Sequence, residues 1–258
     1  MNLDLAGKTA LVTGSTAGIG LAIATRLARE GADVIVNGRT EQRVNKAMAA
    51  SGAAHGLVAD LASEAGFRLC TERFPTVDIL VNNLGIFEAR PFEDISDADW
   101  HRFFDVNVVS GVRLCRHYLG PMLAQDWGRI VFISSESGLQ IPAEMIHYGM
   151  SKTAQLAVSR GLAETTAGSA VTVNAVLPGP TSSEGVTAFV DQMAREGGQD
   201  RDEFETAFFR NVRPSSILQR FITPDEIAAV VTFVCSPLAA AINGTSLKAD
   251  GGVVRSIA

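Results

Sequence analysis

Short apolar segments alternate with longer segments of helical periodicity along almost the whole chain. Most of the apolar segments are continuous rather than strictly alternating, which is typical of parallel strands that helices cover on both faces. The pattern predicts seven strands, at residues 8–13, 33–37, 55–59, 77–82, 129–134, 170–176 and 245–249. It predicts helices between them, at about residues 18–29, 40–50, 63–73, 97–124, 147–166 and 224–234. This alternation indicates an α/β fold with three layers and a doubly wound parallel sheet.

Polar residues mark where several of these helices begin. A side-chain oxygen at the N-cap accepts from backbone N–H groups of the first turn, and we predict N-caps at Thr40, Ser63, Ser96 and Thr223. Pro224 suits the first position of the last helix, where a backbone N–H has no partner. Neither a low-complexity linker nor an internal repeat divides the chain, so we expect one domain over residues 1–258.

Residues 181–222 interrupt the alternation, because they carry little strand signal, many charges and several turn formers. A segment of this length between a strand and a helix often forms a lid or a binding loop, and we predict that role here. An apolar wall of the substrate pocket is suggested by its phenylalanines, Phe189, Phe204, Phe208, Phe209 and Phe221. Arg210 and Arg213 suggest an acidic substrate or carrier. The alternative is a helical hairpin that is packed for stability alone.

Composition and charge narrow the class of protein. A net charge of −6 over 258 residues argues against nucleic acid or an anionic membrane as the main partner. No apolar run approaches the length of a membrane-spanning helix, and the first residues lack the basic start of a signal peptide, so we expect a cytoplasmic protein. The three cysteines and four histidines show no spacing typical of metal ligands or redox pairs. We therefore expect buried thiols and no metal site.

A glycine-rich turn follows the first predicted strand, in TGSTAGIG at residues 13–20. Gly14 lets the chain turn sharply off the strand, while Gly18 and Gly20 allow close approach of a ligand and of the helix to the sheet. Free N–H groups and the positive end of the following helix can bind a pyrophosphate. We predict cofactor contacts from Gly14, Ser15, Thr16, Gly18, Ile19 and Gly20.

A second pattern stands at the start of the helix at 147–166, in IHYGMSKTAQLAV. Tyr148 and Lys152 are four residues apart, so their side chains share one face of the helix. A nearby ammonium favours the phenolate, and Lys152 is therefore expected to lower the pKa of Tyr148 from its ordinary value of about 10. Such a tyrosine can take the proton of an alcohol or give one to a carbonyl oxygen.

Both patterns together resemble the classical short-chain dehydrogenase/reductases, especially the branch of 3-oxoacyl-carrier-protein reductases. The resemblance extends from about Leu5 to Gly252, with motifs in the family's order: TGSTAGIG (13–20), Asp60, NNLG (82–85), Asn107, Ser135, Tyr148-x-x-x-Lys152 and PGPT (178–181). It implies a Rossmann-type domain with a seven-stranded parallel sheet that binds NAD(H) or NADP(H). It also implies a homotetramer.

The resemblance assigns roles to individual residues. Tyr148 would be the general acid/base, and Ser135, at the family's spacing of thirteen residues before it, would hold the substrate oxygen. Lys152 would also bind the nicotinamide ribose, and Asn107 would bend its helix and anchor a water in a proton relay to Lys152. Asp60 would accept from the adenine amino group. Further cofactor contacts would come from Leu61, Asn83, Gly85, Pro178, Gly179 and Thr181.

Some positions near these motifs allow more than one interpretation. Asn82 and Asn83 match the family signature, but an asparagine pair at a strand end can also merely satisfy the backbone of a turn. Leu84 stands where the family has alanine and brings a bulkier group close to the cofactor. Glu136 either faces a polar group of the substrate or caps its loop. His147 either touches substrate or is a residue of the helix start.

The end of the second strand bears on the choice of cofactor. NAD-binding sites usually have an acidic residue there, but this chain has Asn37 or Gly38 at that position, followed by Arg39. An arginine beside the ribose favours a 2′-phosphate, so we predict NADP(H), with NAD(H) as the alternative. Ala17 occupies the position in the turn where some NADP-binding relatives carry a basic residue.

These features predict an NADP(H)-dependent oxidoreductase that interconverts a secondary alcohol and a ketone. Its partner would be a small carbonyl or alcohol substrate. Two alternatives stay open: an NAD-preferring catabolic alcohol or sugar dehydrogenase, and a non-catalytic dinucleotide-binding sensor on the same fold.

Overall fold

A parallel sheet of seven strands forms the centre of the molecule, in the order β3-β2-β1-β4-β5-β6-β7. The structure is a computed structural model that describes residues 2–184 and 200–257. The strands are β1 Thr9–Val12, β2 Asp33–Gly38, β3 His55–Val58, β4 Ile79–Asn82, β5 Gly128–Ile133, β6 Val171–Pro178 and β7 Ser246–Ala249. Every neighbouring pair is parallel. The strand order reverses between β1 and β4, because β2 and β3 are added on one side of β1 and β4 to β7 on the other. Doubly wound sheets bind ligands at the carboxyl ends of the strands at this point.

Helices cover both faces of the sheet, as the continuous apolar strands predict. The helices are α1 Gly18–Arg29, α2 Glu41–Ser51, α3 Glu64–Arg73, α4 Asp97–Phe104, α5 Ser110–Ala124, α6 Ile146–Glu164, α7 Arg201–Asn211 and α8 Pro224–Val234. One face holds a core with residues of α1, α2 and α8, including Ile23, Val44 and Val231. The other face holds a core with residues of α3 and α5, including Cys70 and Tyr118. The predicted three-layer, doubly wound fold is confirmed.

All four predicted N-cap residues stand directly before a helix. Ser63 accepts a hydrogen bond from its first turn, and Ser96 and Thr223 each form a capping box. Thr40 is the N-cap of α2, as predicted, but its side chain makes no capping hydrogen bond. All three cysteines are free and buried, as expected from their spacing.

The predicted helix at 97–124 is interrupted in its middle. A wider π-helical turn, Asp105–Val109, separates α4 from α5. Such turns insert one extra residue per turn and are frequent at functional sites. Asn107 lies inside this turn and is almost fully buried.

The first and last residues of the 181–222 segment lie side by side. Thr181 and Ile222 form an isolated parallel bridge, and the backbone N–H of Ser182 donates to Ile222 O at 2.9 Å. Four phenylalanines of this segment pack on one another in a small separate core: Phe204, Phe208, Phe209 and Phe221. Phe189 lies outside the described residues. Within residues 2–184 and 200–257, the helices are all too short or too polar to cross a membrane.

Candidate active site

The glycine-rich turn lies at the carboxyl end of β1, beside the reversal of the sheet. Gly14 and Gly18 have positive φ angles of 60° and 54°, which side chains rarely adopt. A Cβ atom on Gly20 would lie 2.5 Å from the Asn83 amide nitrogen, so this glycine permits close packing of α1. α1 starts at Gly18 without a side-chain cap and without an acidic residue in its first turn. Its N-terminus therefore fits a bound anion such as a pyrophosphate.

Asn37 holds this turn in place from the end of β2, a function that the sequence analysis missed. Its Oδ1 accepts from the backbone N–H of Gly14 at 3.0 Å, and its Nδ2 donates to Leu57 O and Ala59 O of the β3 region. The side chain is 2% exposed. An asparagine at a strand end next to a glycine turn is the only signal that the sequence offers for this role.

Asn83 clamps the same turn from the end of β4. Its Nδ2 donates to Thr13 O at 2.9 Å and to Gly14 O at 3.1 Å. The Thr13 hydroxyl in turn accepts from the backbone N–H groups of Asn83 and Leu84. The side chain of Asn83 thus satisfies turn backbone, as one of the two interpretations of the asparagine pair expected. Leu84 packs against the second core.

Two exposed side chains lie after the strands β2 and β3, on the same side of the sheet reversal as the glycine turn. Arg39 and Asp60 follow β2 and β3, and both side chains are exposed. Gly38 leaves no room for an acidic side chain, since a Cβ atom there would lie 2.4 Å from the Thr16 methyl carbon. Ser15 and Leu61 are buried, so their side chains face the fold.

The predicted catalytic residues come together at the carboxyl ends of β4 and β5. Ser135 follows β5, while Tyr148 and Lys152 lie in the first two turns of α6. The Tyr148 hydroxyl and Ser135 interact by a side-chain hydrogen bond. The Ser134 hydroxyl donates to the backbone carbonyl of Lys152 at 2.9 Å and is therefore part of the packing between β5 and α6.

The expected lowering of the Tyr148 pKa by Lys152 is wrong. Burial raises the pKa of the Tyr148 hydroxyl well above its ordinary value, the hydrogen bond to Ser135 lowers it, and the charge of Glu136 raises it further. The ammonium nitrogen of Lys152 lies 5.6 Å from the centre of the Tyr148 ring and points its donors elsewhere. Loss of solvation outweighs the nearby charge here, so Tyr148 holds its proton at neutral pH.

Lys152 is buried against the end of β5. Its Nζ donates to Ile133 O at 2.9 Å and to the side-chain oxygen of Gln155 at 3.3 Å. Burial lowers the pKa of Lys152 to about 7, because these neutral acceptors replace only part of the solvation of the ammonium.

Gln155 connects Lys152 to Asn107, a link that the sequence analysis did not identify. Its Nε2 donates to the backbone carbonyl of Asn107 at 2.6 Å, while its Oε1 accepts from Lys152. The Asn107 Oδ1 accepts from the backbone N–H of Ile86, and its Nδ2 donates to Ile86 O and to the Ser151 hydroxyl. Gln155 stands three residues after Lys152 on α6, so helical spacing would have placed the two side chains on one face.

Glu136 and Arg213 form a buried ion pair directly beside Ser135. The Glu136 Oε2 accepts from the Ser135 hydroxyl at 2.5 Å and from the Ser137 backbone N–H at 2.9 Å. Its Oε1 accepts from Arg213 Nε at 3.2 Å, with side-chain exposures of 12% for Arg213 and 6% for Glu136. Arg213 also lies 3.6 Å from a carboxylate oxygen of Glu144. Arg213 thus meets carboxylates of its own chain.

His147 is packed away from the site. It is fully buried, and its ring centre lies 4.0 Å from that of Phe103. The loss of solvation lowers the pKa of His147. This placement agrees with a residue of the helix start that has no contact with a substrate.

The PGPT segment lies at the carboxyl end of β6, opposite the glycine turn. Gly179 packs against the backbone of Asp250, where a Cβ atom would lie 2.5 Å from Asp250 O. The Thr181 hydroxyl donates to Gly179 O at 2.8 Å. A Cβ atom on Gly18 would lie 3.1 Å from Ser183 Cβ, so the start of the 181–222 segment borders the glycine turn.

Three comparisons with known proteins agree with this geometry. The family model described as short chain dehydrogenase matches residues 8–194. An uncharacterized oxidoreductase of Bacillus subtilis (strain 168), YvaG, is 50% identical over 263 residues, which cover 100% of both chains. The 3-oxoacyl-(acyl-carrier-protein) reductase FabG of Aquifex aeolicus (strain VF5) is 35% identical over 98% of this chain and 100% of its own.

The solved structures include a close match in fold. L-sorbose reductase from Gluconobacter frateurii, complexed with NADPH and L-sorbose, aligns with a TM-score of 0.93 and 27% identity over 100% of both chains. The family model covers most of the sequence, and the relatives align along its length. This chain therefore belongs to the short-chain dehydrogenase family, and it is an oxidoreductase with that family's NAD(P)-binding Rossmann fold.

Proposed function

We propose that this protein is an NADP(H)-dependent oxidoreductase that interconverts a secondary alcohol and a ketone. The observation that carries the proposal is the convergence of Tyr148, Ser135 and Lys152 on the carboxyl edge of the sheet, next to the glycine turn. A protein that only senses a dinucleotide needs the glycine turn but has no use for a tyrosine and a serine hydroxyl beside it. The convergence therefore favours an enzyme over a sensor.

In the proposed reduction, Tyr148 is the acid. The glycine turn and Lys152 would hold NADPH, which when bound would supply the hydride that the carbonyl carbon accepts. Tyr148 gives its phenolic proton to the carbonyl oxygen, which becomes the alcohol, and Ser135 holds that oxygen by a hydrogen bond. The raised pKa of Tyr148 keeps the proton in place until the substrate is seated. In the opposite direction, the same phenolic oxygen takes the alcohol proton.

Lys152, Gln155 and Asn107 complete the proposed proton path. Tyr148 must recover a proton after each reduction, and Lys152 is one helical turn away. The chain from Lys152 through Gln155 to the Asn107 carbonyl fixes the ammonium on one side of the site. A pKa of about 7 lets Lys152 both release and recover a proton near neutral pH.

The preference for NADP(H) rests on Arg39. Its exposed guanidinium follows β2, and Gly38 and the inward-facing Asn37 leave that strand end without a carboxylate. A carboxylate would accept from the ribose hydroxyl of NAD, whereas a guanidinium binds a phosphate. An NAD-preferring dehydrogenase is the alternative. We further propose a homotetramer, as the family resemblance implies, and a cytoplasmic location.

A panel of ketones tests the proposal. Purified protein is mixed with each ketone and either NADPH or NADH, and the absorbance at 340 nm is followed. We expect oxidation of NADPH in the presence of at least one ketone and slower turnover with NADH. Binding of NADPH without turnover of any ketone or secondary alcohol in the panel would favour the sensor instead.

A further inference from the structure

The carboxylate of Glu136 lies beside Ser135, and the proposed proton transfer does not use it. It is 5% exposed and lies one residue after Ser135, with three hydrogen-bond donors around it. A buried carboxylate is costly unless donors surround it, so each of these donors matters to its stability. The first of them, the Ser135 hydroxyl, is also the group that the proposed function assigns to the substrate oxygen.

Ser135 has a single proton to donate. In this structure that proton goes to Glu136 Oε2, while the Ser135 oxygen accepts from the Ser137 backbone N–H at 3.1 Å. A ketone oxygen accepts hydrogen bonds and donates none, so Ser135 must turn its proton from Glu136 to the ketone in order to hold it. Glu136 Oε2 then loses one of its two donors. A simple ketone offers nothing in return.

We propose that Glu136 is a specificity-determining residue that accepts a hydrogen bond from a substrate hydroxyl next to the reacting carbonyl. The substrates are then hydroxylated ketones, and the reverse substrates are vicinal diols. A hydroxyl on the neighbouring carbon lies beside the carbonyl oxygen, as Glu136 Oε2 lies beside the Ser135 oxygen. This inference rests on the proposed function, because it requires Ser135 to hold the carbonyl oxygen.

The charges around Glu136 also discriminate between neutral and negatively charged substrates. Arg213 faces the two carboxylates of Glu136 and Glu144, so this group of three side chains carries one net negative charge. A substrate carboxylate would be repelled by this net negative charge, and if it displaced Glu136 from Arg213 it would leave Glu136 buried without a cation. The geometry therefore favours neutral, hydroxylated ketones over keto acids, in contrast to the acidic substrate that the arginines alone suggested.

A matched set of substrates tests this inference. We measure kcat/KM with NADPH for 1-hydroxybutan-2-one, butan-2-one and 2-oxobutanoate. The wild type should use the hydroxy ketone at least about tenfold better than butan-2-one, because one buried hydrogen-bond partner separates the two. It should use the keto acid less well than the hydroxy ketone. Equal values for the hydroxy ketone and butan-2-one would overturn the inference.

Variants assign the preference to Glu136. Glu136→Leu combined with Arg213→Met removes both charges together, so neither is left buried alone. The preference for the hydroxy ketone should fall to about twofold or less in this double variant and in Glu136→Leu alone. Glu64→Gln, an exposed carboxylate on α3, is the matched control and should keep the wild-type preference. A double variant that binds NADPH and keeps a tenfold preference would contradict the assignment.

A binding measurement separates this inference from the proposed function. Thermal shifts of the protein with NADP⁺ are compared for butane-1,2-diol and butan-2-ol. A larger shift with the diol that disappears in Glu136→Leu supports hydroxyl recognition even if no turnover is found, in which case the proposed function alone fails. Turnover of simple ketones with no preference, and equal shifts with both alcohols, would leave the proposed function standing and remove the inference.

Discussion

The two halves of the carboxyl edge use their polar side chains differently. Around the glycine turn, Asn37 and Asn83 direct their amides at backbone groups of the fold. Around Tyr148, polar side chains bond to backbone groups and also to one another, as in Lys152 with Gln155 and Ser135 with Glu136. The half around the glycine turn stabilises a backbone conformation, whereas the half around Tyr148 keeps functional groups at fixed distances from one another.

This difference explains what each half presents to a ligand. Where side chains are committed to the backbone, a cofactor would meet mainly N–H groups and glycines, and in the proposed function the exposed Arg39 and Asp60 provide the remaining selectivity. Where side chains bond to one another, a substrate competes for donors and acceptors that are already paired. Substitutions in the first half should therefore affect stability and cofactor binding, and substitutions in the second half should affect turnover.

The largest effect is expected from removing an amide that holds the glycine turn. Asn37→Ala takes three hydrogen bonds from Gly14, Leu57 and Ala59, and it should lower the free energy of unfolding by about 2–4 kcal/mol. Urea unfolding measures the loss, and NADPH binding should weaken with it. Asn45→Ala, on the exposed face of α2, is the control and should change stability by less than about 0.5 kcal/mol. An equally small effect at Asn37 would remove the distinction between the two halves.

Cofactor selectivity should depend on the exposed end of the same half. Arg39→Ser removes the proposed contact with the 2′-phosphate, so the Kd for NADPH should rise about tenfold to a hundredfold while that for NADH changes little. Fluorescence titration with both cofactors measures the two constants. Arg68→Ser, an exposed arginine on α3, should leave both unchanged. An equal loss of affinity for NADPH and NADH would show that Arg39 does not bind the 2′-phosphate.

The catalytic half is tested at Gln155, which we regard as a positioning residue for Lys152. Gln155→Leu removes the link to the Asn107 carbonyl and should lower kcat about tenfold with little change in KM. Its pH–rate profile should also shift, since Lys152 loses an acceptor. Gln155→Glu keeps an acceptor for Lys152 and should recover part of the rate. A change in thermal stability with an unaltered pH profile would indicate a structural role only.

A smaller effect concerns the stability of the cofactor-free protein against pH. The pKa of Lys152 is lowered from its ordinary 10.5 to about 7 by burial. Between these two values the unfolded chain binds the proton that the folded protein has released, so stability should rise with pH above 7, by at most about 1.4 kcal/mol per pH unit. Below pH 7 both states hold the proton, and this contribution stays constant. Urea unfolding from pH 6 to 9 gives the free energy of unfolding of the wild type and of Lys152→Met at each pH. An identical change with pH in the two proteins would contradict the lowered pKa.

Much of the fold follows from local patterns in the sequence. Seven continuous apolar segments predict the seven strands, and β5, for example, is buried at every position. Pro224 and the capping box at Thr223 place the start of α8. The glycine spacing and the Tyr148–Lys152 pair are also local, since one turn or one helix fixes their geometry.

The remaining features depend on contacts between distant segments. Glu136 and Arg213 are 77 residues apart in sequence and meet only through the fold. The raised pKa of Tyr148 has the same origin, because the spacing to Lys152 indicates a charge, but burial is decided by the elements that cover α6. The phenylalanines of the 181–222 segment suggest a pocket wall in sequence, and only the fold shows that four of them pack together in a core of their own.

The central claim is that Tyr148 transfers the proton, and Tyr148→Phe tests it most directly. This variant removes one oxygen and leaves the ring, so the NADPH affinity should stay within about threefold of the wild type, while kcat/KM for ketone reduction falls by about a thousandfold or more. Both quantities are measured on one preparation, by fluorescence titration and by absorbance at 340 nm. Turnover of the variant at or near the wild-type rate, with the cofactor bound as before, would contradict the account.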